Sequence, residues 1–182
     1  MKKNRLIIMS LKPKYLLVYL LLFLLTACSS TRKIEKSFNE NAYKALGLQQ
    51  ERKDNVELYK EAASWLRIPH RGGGLSRNGI DCSGLVYVIY KKVYAKTLER
   101  NSEQIMKKNC RKKRKGALRE GDLVFFNSGK GLKIRRNINH VGIYLKDHKF
   151  IHTSTSRGVM VSDLNEDYYR KAWVCGGRVK NR

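Results

Sequence analysis

The chain has 182 residues, enough for one domain with a sizeable hydrophobic core. It contains 39 Lys and Arg residues against 15 Asp and Glu residues, which gives a net charge of +24 at pH 7. This balance excludes a preference for cationic partners and favours an anionic partner or surface, without saying which one.

Residues 1–27 have the build of a secretory signal peptide. Five basic residues precede an apolar core at 15–25, which is too short to span a bilayer comfortably. The core ends in Leu25-Thr26-Ala27-Cys28, which resembles the lipobox of bacterial lipoproteins. That resemblance implies a lipid on Cys28 as the first mature residue, followed by a tether over 28–52. The alternative is an ordinary signal peptide with an incidental cysteine.

The residue after Cys28 bears on location, because Ser29 stands where Asp would argue against sorting to the outer membrane. We expect an anchor in the outer membrane, facing the periplasm, in a host with two membranes. Residues 1–27 carry five positive charges and no negative ones, so the mature chain keeps a net charge of +19. No nucleic acid is available there. The remaining anions are cell-wall carboxylates and the phosphates of lipids or lipopolysaccharide.

Two basic clusters are candidates for contact with these anions. The run at 107–115 is either a binding surface or simply a solvated loop. The second cluster lies close before His140 and could steer an acidic substrate toward that residue. It consists of Lys130, Lys133, Arg135 and Arg136.

The segment Asp81-Cys82-Ser83-Gly84 is the central feature of the mature chain. Asp and Ser favour helix N-termini, because their side-chain oxygens accept hydrogen bonds from the first amides. Apolar residues then recur at helical spacing as far as Val93. We therefore expect Cys82 in the first turn of a helix, where the dipole would lower its thiol pKa. The alternative is a buried structural cysteine.

Other elements follow from hydrophobic spacing and from turn residues. The glycines at 72–74 and Asn78-Gly79 indicate a loop before the cysteine. The polar turn at 146–149 predicts that the strands on either side form an antiparallel hairpin. Helices are predicted at 36–50, 56–66, 82–93 and 100–106, and strands at 121–126, 140–145 and 150–154.

Four motifs, in this order, resemble those of the NlpC family of cell-wall cysteine endopeptidases over about residues 56–179. They are Asp81-Cys82-Ser83-Gly84-Leu85-Val86, Gly121-Asp122-Leu123-Val124-Phe125-Phe126, His140-Val141-Gly142-Ile143-Tyr144, and Phe150-Ile151-His152 before Ser154-Thr155-Ser156-Arg157-Gly158. The resemblance implies an α+β, papain-like domain over 53–182, with N-terminal helices packed on an antiparallel sheet. It also implies Cys82 as nucleophile, His140 as general base and acid, and His152 as the residue that orients His140.

The chemistry of a thiol nucleophile agrees with these roles. A thiol attacks a peptide carbonyl well only when an imidazole takes its proton and a third group holds that imidazole in one tautomer. Without the cysteine motif, His140 and His152 would be interpreted as ordinary core or surface residues. A plain two-residue turn at Asp147-His148 would place the two histidines on opposite faces of the sheet. We therefore predict a loop with an odd residue count, or a bulge.

The chain departs from the family pattern at two loops. The usual Pro-Tyr-Arg-Tyr-Gly-Gly reads Pro69-His70-Arg71-Gly72-Gly73-Gly74 here, and Arg-Thr-Ser-x-x-Gln is only approximated at 100–104. His70 replaces a tyrosine that lies near the nucleophile and the oxyanion, and an imidazole can also donate to an oxyanion. Gly72 removes an aromatic wall and would widen the cleft. Asp81 and Ser83 either hold the substrate's free amine or serve only as caps.

We therefore expect a monomeric, lipid-anchored hydrolase of peptidoglycan stem peptides, with the γ-D-glutamyl–diaminopimelate bond as the first candidate. No cofactor or metal is expected, because Cys82, His140 and His152 lack the short spacings of structural zinc sites. Two other classes stay open: a non-hydrolytic peptidoglycan-binding adaptor, and a papain-like amidase or transferase. Cys110 and Cys175 could pair in an oxidising periplasm, but the sequence does not show whether they meet.

Overall fold

The structure, a computed structural model, describes residues 36–128 and 137–180. The expected signal peptide, the lipidation site Cys28 and the four basic residues between 130 and 136 lie outside the described residues. Among the described residues, those from Ala42 onward belong to one compact unit and residues 36–41 to another. Within the described ranges, no helix is both long enough and apolar enough to cross a membrane.

Five α-helices occur in the described part of the chain. They are α1 (36–45), α2 (Val56–Trp65), α3 (Cys82–Tyr94), α4 (Ser102–Gln104) and α5 (Asp167–Ala172). The helix predicted at 100–106 is short, because α4 passes into a π-helical turn at Ile105–Asn109. Tyr43 is buried and stacks on Tyr59 at 4.4 Å between ring centroids, although it lies in the stretch expected to be a tether.

Eight strands are described, and six of them form one antiparallel sheet. They are β1 (Leu75–Ser76), β2 (Gly79–Ile80), β3 (Cys110–Lys113), β4 (Leu123–Phe126), β5 (His140–Tyr144), β6 (Lys149–Ser154), β7 (Gly158–Asp163) and β8 (Trp173–Val179). β1 and β2 pair separately, and the sheet has the order β3-β8-β4-β5-β6-β7. Helix α3 packs on β5 and β6, and α2 packs on α3. The α+β prediction of N-terminal helices on an antiparallel sheet is confirmed.

The basic run at 107–115 does not form a loop. It contains β3, which is an edge strand of the sheet, with Arg111 and Lys112 exposed. Two of its lysines form ion pairs, Lys107 with Glu103 at 2.6 Å and Lys108 with Glu99 at 3.2 Å. Charged side chains on an edge strand discourage pairing with a strand of another molecule.

The two cysteines considered for a disulfide are both free and buried. Cys110 on β3 faces Val179, and Cys175 lies four residues away from Val179 along β8. At about 3.3 Å per residue this places them roughly 13 Å apart along the strands, whereas a disulfide needs Cα atoms within about 7 Å. They are separate core thiols.

The register of the β5–β6 hairpin confirms the predicted odd loop. Ile143 faces Ile151, and the amide of Leu145 donates to the carbonyl of Lys149 at 2.9 Å, leaving a three-residue connection at 146–148. Two of these connecting residues have positive φ angles, 51° and 61°. Because faces alternate along each strand, His140 and His152 lie on the same face of the sheet.

Two hydrophobic cores cover the two faces of the sheet. The larger one packs β-strand residues such as Val141, Ile143 and Ile151 against α2 and α3. The smaller one contains Phe150 and Tyr169, and so places α5 over the face that carries the two histidines. Helix α3 lies on the opposite face, and its N-terminal end reaches the β5 backbone at Val141, next to His140, so the site lies at this end of β5.

Gly142 in the β5 motif is required by a close approach between strands. A Cβ atom at this position would lie 2.8 Å from the carbonyl oxygen of Ile151 and 2.8 Å from the Phe150 ring. We expect Gly142→Ala to lower the free energy of unfolding by about 1–3 kcal/mol, as overpacking does elsewhere. Urea denaturation measures the change. Gly116→Ala is the matched control, because a Cβ there meets nothing within 4 Å; equal stability of the two variants would contradict the prediction.

Candidate active site

Helix α3 begins at Cys82 because Asp81 caps its N-terminus. The Asp81 Oδ1 atom accepts hydrogen bonds from the Gly84 amide at 2.5 Å and from the Ser83 hydroxyl at 2.9 Å. Asp and Ser at this position bind amides that have no partner within the helix. The predicted place of Cys82 in the first turn is confirmed.

The predicted lowering of the Cys82 thiol pKa is wrong. Burial raises the pKa above its ordinary value, the charge of Asp81 raises it further, and hydrogen bonds from backbone amides, first of all Val141, lower it. Removing a thiolate from water therefore outweighs the favourable amides at the helix N-terminus. The Val141 contact also shows that the sulfur lies against the backbone next to His140.

His140 and His152 meet as the family resemblance implies. The Nε2 atom of His140 lies 3.0 Å from Nδ1 of His152, and the two rings are nearly perpendicular, at 88°. Burial, with a smaller contribution from the charge of His70, lowers the pKa of His140 to about 4. Burial, with the charges of His140 and Arg157, lowers the pKa of His152 to about 3. Both rings are therefore neutral at pH 7.

His70 lies at the edge of the same site. Backbone hydrogen bonds hold its loop against β2, from Arg71 N to Ile80 O at 3.2 Å and from Ile80 N to Pro69 O at 3.0 Å. Its effect on the pKa of His140 places the two rings within electrostatic reach of each other. Gly72 lies in open space, since a Cβ atom at this position would meet nothing within 4 Å.

Asp81 and Ser83 are engaged within the protein. Besides its cap bonds, Asp81 accepts from the amide of Gly73 at 2.8 Å and forms an ion pair with Arg100 at 3.1 Å. The Ser83 hydroxyl is buried and shares its single proton between Asp81 Oδ1 and the carbonyl of Arg100, both at 2.9 Å. Through these contacts, Asp81 and Ser83 cap helix α3 and connect it to Arg100, which lies just before α4.

Two residues of the site were not predicted from the sequence. The Nε2 atom of His152 lies 3.0 Å from the Tyr169 hydroxyl and 3.1 Å from the Ser162 hydroxyl. Ser162 is on β7 and Tyr169 is on α5, and neither element was predicted. No motif surrounds either residue, so only the packing of α5 and β7 against β6 reveals them.

A groove of about 320 Å³ borders the two histidines. Hydroxyl groups of residues 153–156 line it together with Arg157 and Tyr168. Within residues 36–128 and 137–180, no group of three His, Cys, Asp or Glu side chains is placed to hold a metal ion. The groove offers a bound peptide hydrogen-bonding groups, one positive charge at Arg157 and one negative charge at Glu166.

Comparison with known proteins agrees with this geometry. Residues 67–178 match the model of the NlpC/P60 family. The chain belongs to the NlpC/P60 family. It is 41% identical over 114 residues to the probable endopeptidase NlpC of Escherichia coli K12, a match covering 63% of this chain and 71% of that protein. It is 35% identical over 127 residues to the murein DD-endopeptidase MepS/murein LD-carboxypeptidase of the same strain. That match covers 69% of this chain and 63% of that protein.

A solved NlpC/P60 family protein from Bacillus cereus superposes on the chain with a TM-score of 0.59 and 30% identity. The match covers 68% of this chain but only 39% of that one. The chain thus spans less than two thirds of MepS and well under half of the Bacillus protein. Family membership confirms the papain-like fold and makes this protein a cysteine peptidase of the peptidoglycan hydrolase class.

The lowered histidine pKa values predict how stability depends on pH. An unfolded histidine has a pKa of about 6.5, so between that value and the folded values of about 4 and 3 the unfolded chain binds more protons. We therefore expect the free energy of unfolding to fall as the pH falls from 6.5 to 4. Over this range, the free energy of unfolding of the double variant His140→Gln/His152→Gln should fall by at least about 2 kcal/mol less than that of the wild type. The reason is that each unit of pKa shift corresponds to about 1.4 kcal/mol.

Urea denaturation at several pH values measures this difference. The exposed turn residue His148, changed to Asn, controls for the loss of a histidine as such. Parallel pH dependence in the wild type and the double variant would contradict the buried, neutral state of the pair.

Proposed function

We propose that this protein is a lipid-anchored peptidoglycan endopeptidase that cleaves stem-peptide bonds through an acyl-enzyme on Cys82. The observation that carries the proposal is the 3.0 Å hydrogen bond between His140 and His152, beside the capped helix N-terminus that bears Cys82. The names of the relatives NlpC and MepS, both endopeptidases, support the same class of reaction.

The first chemical step transfers a proton from Cys82 to His140. Because burial raises the thiol pKa and lowers that of His140, the resting pair is a neutral thiol and a neutral imidazole. The Nδ1 atom of His140 takes the proton as the sulfur attacks the peptide carbonyl, which is general-base catalysis. His140 donates its Nε2–H to Nδ1 of His152, and that bond stabilises the imidazolium that forms.

The later steps return the proton. The tetrahedral intermediate collapses when the imidazolium of His140 gives its proton to the leaving amine, and a thioester on Cys82 remains. Water then attacks the thioester with His140 again as base; the C–S bond breaks, the Cys82 sulfur takes the proton back from His140, and the acid is released. We assign His70 to the oxyanion, since its imidazole can donate a hydrogen bond there beside the first amides of α3.

The substrate we propose is a stem peptide, and the candidate bond is γ-D-glutamyl–diaminopimelate. The polar groove borders the histidines and carries the charges of Arg157 and Glu166, which suit a peptide with both carboxylates and amines. The net charge of +19 that remains without residues 1–27 favours the same acidic polymer. The name of MepS makes the DD cross-link the competing candidate.

Cleavage of purified peptidoglycan fragments, followed by mass spectrometry, tests the function. A soluble form that starts after Cys28 should cleave them, and Cys82→Ala should lower the rate at least about a thousandfold, because the nucleophile is lost. Cys110→Ala is the matched control: it removes a buried thiol at the far edge of the sheet and should keep its activity.

The products and variants separate the alternatives. Product masses name the bond, and acyl transfer to an added amine would indicate a transferase. Intact fragments with both wild type and Cys82→Ala from pH 5 to 9 would favour the adaptor. If His70 serves the oxyanion, His70→Ala should lower kcat while His70→Tyr, the family residue, keeps it; equal rates for both would remove His70 from the mechanism.

The proposed lipid anchor at Cys28 has a separate test. The full chain should fractionate with membranes and carry a lipid on its first mature residue in mass spectrometry, whereas Cys28→Ala should carry none, because the lipid is attached to the Cys28 thiol. Ser29→Ala serves as the control. A wild-type N-terminal peptide without a lipid would contradict lipidation at this residue.

A further inference from the structure

We propose that Tyr169 and Ser162 are positioning residues that hold His152 in its Nε2–H tautomer and so keep Nδ1 of His140 free to accept the Cys82 proton. This inference rests on the proposed function, in which His140 is the base. It adds two hydroxyl groups to the chain of contacts that starts at the nucleophile.

The three groups form a closed, buried triangle. His152 Nε2 lies 3.0 Å from Tyr169 Oη and 3.1 Å from Ser162 Oγ, and the two oxygens are 3.3 Å apart. His152, Ser162 and Tyr169 are 2%, 4% and 5% exposed. Polar groups this deeply buried are almost always hydrogen-bonded. The position of each proton in the triangle therefore decides which atom donates and which accepts. The three residues come from β6, β7 and α5, which converge only in the folded protein.

The bond between two neutral histidines can hold its proton in two ways. If His140 donates from Nε2, its Nδ1 is unprotonated and can take the thiol proton. If His152 donates from Nδ1 instead, His140 carries its proton on Nδ1 and cannot act as the base. In the first arrangement His152 has its own proton on Nε2, which must find an acceptor. The hydroxyl oxygens of Tyr169 and Ser162 are at that position.

The serine of the hydroxyl pair is oriented to accept. Ser162 Oγ donates to Tyr169 Oη, so the serine proton points away from His152. Burial raises the pKa of Tyr169, and the phenol stays protonated at neutral pH. The Ser162 oxygen can therefore offer a lone pair to the Nε2–H of His152, and the Tyr169 oxygen does the same when its own proton turns away from Nε2.

This arrangement also answers how a neutral histidine serves in the third position. An aspartate would stabilise the imidazolium of His140 with a full charge, whereas His152 offers only a lone pair. Hydrogen-bonded groups in series polarise one another in a low-dielectric interior, so an acceptor at Nε2 makes Nδ1 a better acceptor for His140. The charge of Arg157 lowers the pKa of His152 and disfavours a second proton on it.

Aromatic packing allows the hydroxyl to be removed without removing the ring. The Tyr169 ring packs edge-on against Phe150 at 4.9 Å and against Phe126 at 5.3 Å. Tyr169→Phe keeps these contacts and deletes only Oη. Tyr90→Phe is the matched control, since Tyr90 is equally buried and its hydroxyl binds the Gly121 carbonyl on the other side of the sheet.

The test combines a readout that needs no substrate with one that does. In the full chain in detergent micelles, ¹⁵N NMR of the His152 ring should show a proton on Nε2. The double variant Tyr169→Phe/Ser162→Ala should show mixed tautomers and slower alkylation of Cys82 by iodoacetamide. Its kcat should fall about 10- to 100-fold with KM nearly unchanged, the range found when outer hydrogen-bond partners are removed, while Tyr90→Phe keeps the wild-type tautomer and kcat.

Two results would overturn the proposal. One is a His152 proton on Nδ1 in the wild type, and the other is a double variant whose tautomer and kcat match those of Tyr90→Phe. A wild type that cleaves no fragment but shows the tautomer change would refute the proposed function and leave the positioning role. Cleavage at the wild-type rate by the double variant, with Cys82→Ala inactive, would refute the positioning role alone.

Discussion

The strand register of the β5–β6 hairpin is the constraint on which the site depends. A connection at 146–148 with an odd number of residues puts His140 and His152 on one face, 3.0 Å apart. A shift by one residue would move one ring to the opposite face, because side chains alternate strictly along a strand. Gly142 lies opposite His152 in this register and lets β6 approach closely. The turn and the glycine thus determine the geometry of the base.

Burial is the common physical cause behind the electrostatics of the site. It raises the pKa of Cys82 and lowers those of His140 and His152, since water stabilises each charged form better than the protein interior does. The resting site is therefore neutral, and charge forms only as the thiol attacks. A neutral chain of hydrogen bonds from His140 through His152 to Tyr169 and Ser162 is suited to receive that charge when it appears.

The cap of α3 connects the nucleophile to the segments around it. Asp81 binds the first amides of the helix, the amide of Gly73 in the glycine loop and the guanidinium of Arg100. The same loop carries His70 to the edge of the site, where its charge acts on His140. One carboxylate thus holds together the helix that presents the thiol and the loop in which this chain departs most from its family.

Features that depend on local contacts could be predicted from the amino-acid sequence: the helix start at Cys82, the strands around His140 and His152, and the requirement for an odd loop between them. Periodicity and capping express interactions between residues a few positions apart, so they can be recognised in the chain itself. The direction of the Cys82 pKa shift, the separation of Cys110 from Cys175, and the hydroxyl partners of His152 depend on the tertiary structure. Desolvation depends on everything packed around a group, and Ser162 and Tyr169 reach His152 from β7 and α5, elements without a motif of their own.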